Sequence, residues 1–381
     1  MINLLPTPAY VINKNRLYNN MLIFKHIMDA TGVKILLSQK AFSSYYLYPF
    51  LSDYLIGTSA SGLYEAKLGY EEMYGREVHV YSPAYTAKDL NILIDICDYI
   101  TFNTPEQWLR FKPVVEKNKN INYGIRINPE YSEIKRPIYN PCMPHSRLGT
   151  TLTMLENSFD LLFSNKDNVN ISGILFHTMD EQGADTLNRT LDVIENKFKD
   201  ILRKIRWINF GGGHLITSSK YNISTLINII NNFKSKYNIQ VYLEPGMAVA
   251  LNSGYLLCSV LDIFENGMKI AIVDTSVACH MPNILEASFN PKIINAGFLN
   301  EKKYNYRIGG VSCLAGDVIG DYSFDHELRV GDRLILEDMI IYSIVKNNTF
   351  NGIPLPSIAI EDENGISVVK KFNYEDYKRR Q

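Results

Sequence analysis

Between residues 34 and 247, short runs rich in β-branched residues alternate with longer amphipathic runs, and this alternation restricts the fold more than any other feature. Eight runs have the character of strands: residues 34–38, 54–57, 78–82, 99–102, 122–128, 171–176, 206–210 and 240–243. Seven runs between them have helical periodicity: residues 43–52, 62–73, 88–96, 105–117, 152–164, 185–204 and 223–236. Alternating strands and helices predict a parallel sheet covered by helices. Because there are eight strands, we predict an α/β fold with a closed (β/α)8 TIM-type barrel rather than an open doubly wound sheet.

After about residue 248, strand-like runs follow one another without helices between them. They cover residues 257–264, 269–274, 304–309, 333–336, 340–344 and 357–360. Turn sequences such as Glu265-Asn-Gly267 lie between them, which is typical of a β-rich region. A chain of 381 residues is long enough for two domains. We therefore predict a barrel over residues 8–247, followed by a mostly β C-terminal domain over residues 248–381 that also includes residues 1–7.

Composition argues against several functional classes. The net charge is −1 and no long basic block occurs, which disfavours nucleic acid and anionic membranes as partners. No stretch approaches about 18 uninterrupted apolar residues, and the N-terminus lacks the features of a signal peptide. The five cysteines are odd in number and widely spaced, and the sequence contains no CxxC pair of the kind that binds metal ions. This pattern favours free thiols in a reducing cytoplasm.

Three groups follow predicted strands of the barrel. Lys40 follows the first strand, Gly211-Gly-Gly213 the seventh, and Glu244-Pro-Gly246 the eighth. In a barrel these strand ends share one rim, where barrel enzymes place their chemistry. A lysine amine bonds covalently to an aldehyde, glycine amides cradle a phosphate, and a carboxylate holds a pyridinium nitrogen. These are the requirements of pyridoxal phosphate, which we predict as the cofactor.

A histidine and a cysteine complete the set of candidate catalytic residues. His177 ends the sixth predicted strand, where its flat ring would stack on a bound pyridoxal ring. Cys313 lies among glycines in a loop, where a thiol would donate a proton to a carbanion. Each of these residues also has an ordinary structural explanation. Lys40 would be a solvated loop residue, the glycine triplet a flexible turn, and Glu244 a partner of Arg126. His177 would be a structural histidine, and Cys313 a small core residue.

The order of these residues resembles that in the alanine-racemase-fold, pyridoxal-phosphate-dependent decarboxylases, which include the ornithine and diaminopimelate decarboxylases. Within that group the chain is similar to the carboxynorspermidine (carboxyspermidine) decarboxylases over nearly its whole length. The similar stretches are Lys34-Ile-Leu-Leu-Ser-Gln-Lys-Ala-Phe42, Ser59-Ala-Ser-Gly-Leu-Tyr-Glu-Ala66, Glu77-Val-His-Val-Tyr-Ser-Pro-Ala-Tyr85, Pro144-His-Ser-Arg-Leu-Gly149, Asn209-Phe-Gly-Gly-Gly-His214, Asp274-Thr-Ser276 with His280-Met-Pro282, and Thr349-Phe-Asn-Gly352.

The resemblance implies how the cofactor is held. Lys40 would carry it covalently, His177 would stack on its ring, and Glu244 would hold the pyridine nitrogen. The remaining implied contacts are Gly212, Gly213, Gly246 and Tyr342 at the phosphate, with Arg126 and Arg147 nearby. The resemblance also implies a head-to-tail homodimer with shared active sites. Cys313 of one subunit would reach the site of the other and donate a proton after carbon dioxide leaves.

Two positions depart from the pattern of the resembled family. Met247 stands where a second glutamate usually follows Glu-Pro-Gly, and Asn283 stands where an aspartate usually follows His-Met-Pro. We expect both positions to contact a small cationic substrate. Because neutral residues stand where the family has acids, the substrate site loses up to two negative charges. The complete set of predicted substrate contacts is Met247, Asp274, His280, Asn283 and Asp317, with Glu286 as a further acid that would compensate.

The expected reaction is the decarboxylation of carboxynorspermidine or carboxyspermidine to norspermidine or spermidine, a step of polyamine biosynthesis. A competing hypothesis is a diaminopimelate or related amino-acid decarboxylase. A racemase of the same fold would need a second base on the far face of the ring. Two further hypotheses do not involve the usual catalysis. The chain would be a regulatory protein that binds the cofactor, or a decarboxylase-like protein whose activity is altered or lost. Met247 and Asn283 are the reason for considering the second.

Overall fold

The structure, a computed structural model, describes residues 4–163 and 170–381, and its chain divides into two units. The barrel unit spans Asn20–Val249, and the sheet unit combines Ala250–Gln381 with the N-terminal residues up to Asn19. The first strand of the chain, β1 (Ala9–Asn13), belongs to the sheet unit. Among the described residues, no helix is both long enough and apolar enough to cross a membrane.

Eight parallel strands form a closed barrel in which each strand pairs with its neighbours in sequence. They are β2 (Lys34–Ser38), β3 (Gly57–Ala60), β4 (Glu77–Tyr81), β5 (Tyr99–Phe102), β6 (Asn122–Arg126), β7 (Ile171–Leu175), β8 (Trp207–Asn209) and β9 (Gln240–Leu243). The ring closes where Lys34 of β2 pairs with Tyr242 of β9. The predicted eight-stranded barrel is confirmed. Parallel strands end at one rim, so the loops that follow them lie on the same face of the barrel.

Helices precede, connect and follow the barrel strands. They are α1 (Lys14–Thr31), α2 (Tyr48–Leu51), α3 (Leu63–Glu72), α4 (Ala87–Ile96), α5 (Pro105–Val115), α6 (Leu152–Glu156), α7 (Phe159–Phe163), α8 (Ala184–Leu202), α9 (Ile223–Tyr237) and α10 (Met247–Ala250). Side-chain caps define where some of them begin: Thr86 accepts the N–H of Asp89 at the start of α4, and Asn222 accepts that of Thr225 at the start of α9.

Several helices differ from the prediction, and the helix predicted over residues 43–52 is shortened to α2. The helix predicted over residues 152–164 is divided into α6 and α7, and Ser164 lies outside the described residues. Asn157 and Ser158 lie at the break, where short polar side chains compete with the helical backbone. Helix α1 was not predicted, although its buried Leu17, Met21, Phe24 and Ile27 recur at helical spacing.

The sheet unit contains a nine-stranded sheet with the order β12-β14-β13-β11-β10-β1-β16-β17, in which β15 also pairs with β10. Its strands after β1 are β10 (Gly254–Glu265), β11 (Lys269–Val273), β12 (Gly297–Phe298), β13 (Tyr304–Gly309), β14 (Val318–Phe324), β15 (Arg333–Glu337), β16 (Ser357–Asp362) and β17 (Gly365–Lys370). Its short helices are α11 (Val277–His280), α12 (Pro282–Ala287), α13 (Ser343–Lys346) and α14 (Tyr374–Lys378). The predicted β-rich second domain is confirmed.

The position of β1 corrects one predicted domain boundary. The sequence assigned residues 8–19 to the barrel, whereas β1 pairs with β10 through Ala9 and Leu257 and with β16 through Ala9 and Ser357. The side chains of Ala9, Tyr10 and Val11 are fully buried. A strand buried in this way needs neighbours on both sides, and a closed barrel has no free edge to accept it.

A second correction concerns residues 340–344, which were predicted to form a strand. Tyr342 has φ +57°, and α13 follows it directly. A left-handed residue in the middle of the run interrupts extended backbone, so the run forms a turn and a helix instead. Strands β12, β14 and β17 were not predicted.

Candidate active site

Lys40, His177 and Glu244 lie at the same rim of the barrel. Lys40 follows β2 by two residues, His177 follows β7 by two residues, and Glu244 follows β9 directly. Residues 211–213, the glycine triplet, follow β8 after Phe210. These residues, with Arg126 at the end of β6, are called the mouth cluster below. Their placement follows from the parallel barrel, since each one lies at or shortly after the carboxyl end of a strand.

Lys40 lies on a loop that the neighbouring residue, Gln39, anchors to the barrel. The side chain of Gln39 is fully buried, accepts a hydrogen bond from Tyr48 Oη at 2.9 Å and donates one to the carbonyl of Glu65 at 2.8 Å. Lys40 itself reaches solvent, but many protein atoms surround its ammonium group. This desolvation lowers the pKa of Lys40, and the charge of Arg126 lowers it further. A larger fraction of neutral amine results, which is the form that bonds to an aldehyde.

Glu244 is oriented by Asn209, the last residue of β8. Asn209 Nδ2 donates to Glu244 Oε1 at 2.7 Å, and Asn209 Oδ1 accepts the N–H of Gly211 at 2.9 Å. The backbone N–H of Glu244 donates to the carbonyl of Gly211 at 2.8 Å. One carboxylate oxygen is therefore held, and the other, Oε2, makes no hydrogen bond to the described residues. Asn209 belongs to a motif that the sequence analysis quoted, but no role was assigned to it there.

The imidazole of His177 is neutral and has a defined tautomer. Its Nδ1 accepts the backbone N–H of Gly212 at 3.1 Å, so the ring proton lies on Nε2. Burial, together with the charges of Lys40 and Arg126, lowers the pKa of His177 well below its usual value. A neutral ring at neutral pH serves better as a flat packing surface than as a proton donor. The amide of Gly212, which we predicted to bind phosphate, is already bonded to this ring.

The glycine triplet and Gly246 approach neighbouring protein atoms so closely that a side chain at any of these positions would collide with them. Gly211 and Gly213 have φ +71° and φ +86°, which glycine adopts without strain. A Cβ at Gly246 would lie 2.6 Å from the Cβ of Ala41 and 3.3 Å from that of Ser38. Among residues 4–163 and 170–381, no acceptor pairs with the N–H groups of Gly213 and Gly246. Free amides at glycines on adjacent loops fit a phosphate group.

Two buried hydroxyls on the same loops also lack partners. Ser44 Oγ, on the loop that carries Lys40, and Thr178 Oγ1, next to His177, make no hydrogen bond to the described part of the chain. Unpaired buried polar atoms are rare in folded proteins and indicate a group that completes the site. The donor set therefore fits pyridoxal phosphate.

Replacement of Gly246 by alanine is expected to weaken cofactor binding about tenfold or more. The added methyl group would contact Ala41 and Ser38, and overpacking of this kind costs about 1–3 kcal/mol, with about 1.4 kcal/mol per decade of affinity. Titration of cofactor-free protein with pyridoxal phosphate measures the effect. Gly62→Ala is the matched control, because a Cβ at Gly62 meets nothing within 4 Å. Equal affinities of the two variants would contradict the assignment of Gly246 to the cradle.

The two arginines predicted to lie near the cofactor differ in their surroundings. Arg126 is buried, donates from Nη2 to the carbonyl of His177 at 3.4 Å and lies over the ring of Tyr81 at 4.7 Å. Arg147 is exposed, and its carbonyl accepts from Asn103 Nδ2 at 3.0 Å. Burial raises the pKa of Tyr81, and the charges of Arg126 and Arg147 both lower it. The structure thus brings Arg126 into the mouth cluster, and the role of Arg147 near the cofactor stays a prediction. Met247 is half-buried and begins α10 directly after Gly246.

Most of the predicted substrate contacts in the sheet unit already have protein partners. The carboxylate of Asp317 accepts the N–H of Val277 at 2.6 Å and that of Ser312 at 2.9 Å. Asn283 Oδ1 accepts from Ser343 Oγ at 2.7 Å. The structure further shows Asp274 Oδ1 accepting a backbone N–H and Glu286 paired with Lys346. The charges of Asp317 and Glu286 are therefore engaged within the protein.

His280 and Cys313 have opposite environments. His280 is fully buried, its Nδ1 lies 2.9 Å from Thr275 Oγ1, and its Nε2 lies 3.0 Å from the carbonyl of Pro354. Burial lowers the pKa of His280 to about 4, and neither ring nitrogen is free for a ligand in this geometry. Cys313 is exposed, and its backbone N–H donates to Asn351 Oδ1 at 2.8 Å. Within the described residues, no three His, Cys, Asp or Glu side chains are grouped as metal ligands.

Known proteins are similar to this chain over nearly its whole length. A family model described as pyridoxal-dependent decarboxylase, C-terminal sheet domain, matches residues 9–340. A Synechocystis protein named carboxyaminopropylagmatine decarboxylase is 40% identical over 99% of this chain and 95% of its own length. A Campylobacter jejuni protein named carboxynorspermidine/carboxyspermidine decarboxylase is 38% identical over 98% of each chain. The crystal structure of carboxynorspermidine decarboxylase complexed with norspermidine from Campylobacter jejuni superposes with a TM-score of 0.89 at 36% identity, covering 99% of this chain and 100% of that one.

Proposed function

The chain belongs to the pyridoxal-dependent decarboxylase family, and on this premise we propose that it decarboxylates carboxynorspermidine or carboxyspermidine to norspermidine or spermidine. In this reaction the bond between the α-carbon and its carboxylate breaks, carbon dioxide leaves, and a proton takes its place. The observation that carries the proposal is the meeting of Lys40, Glu244 and the glycine cradle at one barrel rim. The full-length similarity to the Campylobacter jejuni enzyme supports the substrate class.

The mouth cluster is the proposed site of pyridoxal phosphate. The bound cofactor supplies an electron-accepting ring conjugated to the α-carbon. Lys40 provides the amine that attaches the cofactor, and its lowered pKa keeps that amine available. Asn209 holds Oε1 of Glu244. The other carboxylate oxygen of Glu244, Oε2, would accept a hydrogen bond from the pyridine nitrogen of the bound cofactor and keep that nitrogen protonated. The proposed phosphate contacts are Gly213, Gly246 and Tyr342, whereas the N–H of Gly212, also predicted to bind phosphate, is used by His177 Nδ1.

His177 would stack on the ring of the bound cofactor and exclude water from that face of the site. Its neutral state, caused by burial and by the charge of Lys40, prevents it from competing as a proton donor at neutral pH. A group other than His177 must therefore donate the proton to the α-carbon. We assign that proton to the thiol of Cys313.

The proposed assembly is a head-to-tail homodimer in which Cys313 serves the site of the partner subunit. The thiol is exposed, and so are the apolar side chains of Val311, Leu314 and Val318 on the same segment. Exposed apolar side chains grouped around a functional residue support a surface that another protein covers. A free thiol with a chemical role also supports a reducing location such as the cytoplasm, as do the four other unpaired cysteines.

A second candidate substrate is carboxyaminopropylagmatine, which ends in a guanidinium group rather than an amine. The Synechocystis relative named for this activity is 40% identical over nearly the full length of both chains. Met247 and Asn283 replace two acids expected for compact ammonium groups, and a guanidinium is more weakly hydrated than an ammonium. Steady-state kinetics with carboxynorspermidine, carboxyspermidine, carboxyaminopropylagmatine and diaminopimelate distinguish these substrates. Turnover of none of the first three would contradict the proposed function.

The double substitution Met247→Glu and Asn283→Asp is expected to lower KM for carboxyspermidine about tenfold or more. A hydrogen bond to a charged group is worth about 1.5–3 kcal/mol, and about 1.4 kcal/mol is one decade. Asp at 283 keeps the acceptor that Ser343 Oγ uses at 2.7 Å, so the fold is preserved. The gain with diaminopimelate is expected to be much smaller, because its distal carboxylate is repelled by the new acids. If KM for carboxyspermidine does not change, neither position contacts the substrate amines.

A further inference from the structure

Cys313 lies in the connection between β13 and β14, residues 310–317, which we call the thiol loop. Asn351 Oδ1 accepts the backbone N–H of Cys313 at 2.8 Å. A backbone N–H is an unambiguous donor, so the side-chain oxygen of Asn351 must face it. The main chain of the cysteine is therefore tied to a segment about forty residues further along the sequence, at residues 348–354.

A second tie holds the opposite side of the thiol loop. The buried carboxylate of Asp317 accepts the N–H of Val277 in α11 and the N–H of Ser312, the residue before Cys313. The N–H of Val311 donates to the carbonyl of Thr275 at 3.1 Å. Asp317 thus binds the thiol loop to the start of α11, and hydrogen bonds to a carboxylate are among the stronger ones.

The segment that carries Asn351 is anchored to the same helix. The backbone N–H of Asn348 donates to the carbonyl of Cys279 at 2.8 Å, and Asn348 Nδ2 donates to the carbonyl of Ala278 at 2.8 Å. The thiol of Cys279 donates to the carbonyl of Phe350 at 3.4 Å. Three segments therefore contact one another in a closed ring: helix α11, the thiol loop and residues 348–354. The hydrogen bond from Cys313 to Asn351 is the contact between the last two.

Asn351 also has an uncommon backbone conformation, with φ +58°. Asparagine and glycine adopt this left-handed region at low cost, whereas most residues do not. Of the two, only asparagine has a side-chain oxygen that accepts the N–H of Cys313. Both properties of asparagine are therefore used at this position.

We propose that Asn351 is a positioning residue for the protonation step, holding the Cys313 backbone so that its thiol has a fixed distance and direction to the carbon that lost carbon dioxide. This inference rests on the proposed role of Cys313 as proton donor. Once the backbone is fixed, the thiol moves only by rotation about the Cα–Cβ bond. Proton transfer requires donor and acceptor within hydrogen-bond reach, and a displacement of about 1 Å can cost up to about a hundredfold in rate.

A double-mutant cycle with Asn351→Gly and Cys313→Ala tests the proposal. Glycine keeps the left-handed backbone and removes only the acceptor, so we expect kcat to fall about tenfold while KM and cofactor uptake are retained. In the Cys313→Ala background the same substitution is expected to have no further effect on kcat. Asn351→Asp, which retains an acceptor oxygen, is expected to recover most of the lost rate.

Asn295→Gly is the matched control, because Asn295 is exposed, has φ +63° and lies elsewhere in the sheet unit. It is expected to behave as wild type. Additive effects of Cys313→Ala and Asn351→Gly would overturn the proposal, since a purely structural defect acts independently of the thiol.

Stereochemistry gives an independent measurement. Decarboxylation in deuterium oxide places one deuterium on the carbon that lost carbon dioxide, and a positioned donor delivers it to one face only. We expect Asn351→Gly and Cys313→Ala each to give a mixture of the two configurations. If Cys313→Ala keeps wild-type kcat and configuration, the proposed role of the thiol itself is wrong. If Cys313→Ala is impaired while Asn351→Gly is not, only the role of Asn351 is wrong.

Discussion

The Lys40→Ala protein is expected to be colourless and inactive with every substrate, whereas the wild-type protein is expected to be yellow when isolated with its cofactor. Lys40 supplies the amine that attaches pyridoxal phosphate, and alanine has no group that replaces it. The remaining cofactor contacts are intact, so the variant retains weak, noncovalent binding. Absorption spectroscopy and decarboxylation assays, both before and after addition of pyridoxal phosphate, measure the two effects.

Lys67→Ala is the control for this experiment. Lys67 is exposed on α3 in the same barrel unit, so its removal takes away the same charge and side-chain type without touching the mouth cluster. The control is expected to be yellow and fully active. A wild-type protein that never takes up pyridoxal phosphate would disprove the cofactor assignment, and a Lys40→Ala variant with the wild-type spectrum would show that another amine attaches it.

Mixing the inactive Lys40→Ala and Cys313→Ala proteins is expected to restore up to about a quarter of the wild-type sites. In a head-to-tail dimer with shared sites, a hybrid has one site with both defects and one with neither. Random exchange makes half of the dimers hybrids, and half of the sites in each hybrid are intact. Activity measured against mixing time, after conditions that allow subunit exchange, gives the recovery.

A mixture of Lys40→Ala with Glu244→Ala is the control for complementation. Both residues belong to the mouth cluster of one barrel unit, so each site of a hybrid keeps one defect and no activity is expected. Recovery in both mixtures would indicate that exchange or refolding, rather than sharing of sites, restores activity. Exchange without recovery in the Lys40→Ala and Cys313→Ala mixture would contradict a site completed by the partner's cysteine.

Much of the barrel could be predicted from hydrophobic periodicity. Strands β2, β5 and β9 have the predicted bounds, because buried parallel strands form short continuous apolar runs between amphipathic helices. Strand β3 begins at Gly57, three residues after its predicted start, since the apolar residues before it belong to the preceding connection. Helix α1 was missed although its apolar spacing is helical.

Strand β1 shows where periodicity stops being informative. Its residues have the same β-type character as the barrel strands, and the nearest strands in sequence are those of the barrel. Its partners are β10 and β16, 248 and 348 residues away, as the pairing of Ala9 with Leu257 and Ser357 shows. Which strand accepts a neighbour depends on free edges in the folded sheet, and a local pattern carries no information about them.

The sequence by itself determined which residues stand at the barrel rim, because Lys40, His177, the glycine triplet and Glu244 each follow a recognisable strand and parallel strands end on one side. Only the tertiary structure decided how these groups are held and which polar residues are already engaged. Asn209 orients Glu244, Asp317 binds backbone N–H groups, and Asn351 holds Cys313. The physical reason is that a hydrogen bond depends on distance and angle between two atoms, and residues such as Cys313 and Asn351, far apart in sequence, meet only when the chain has folded.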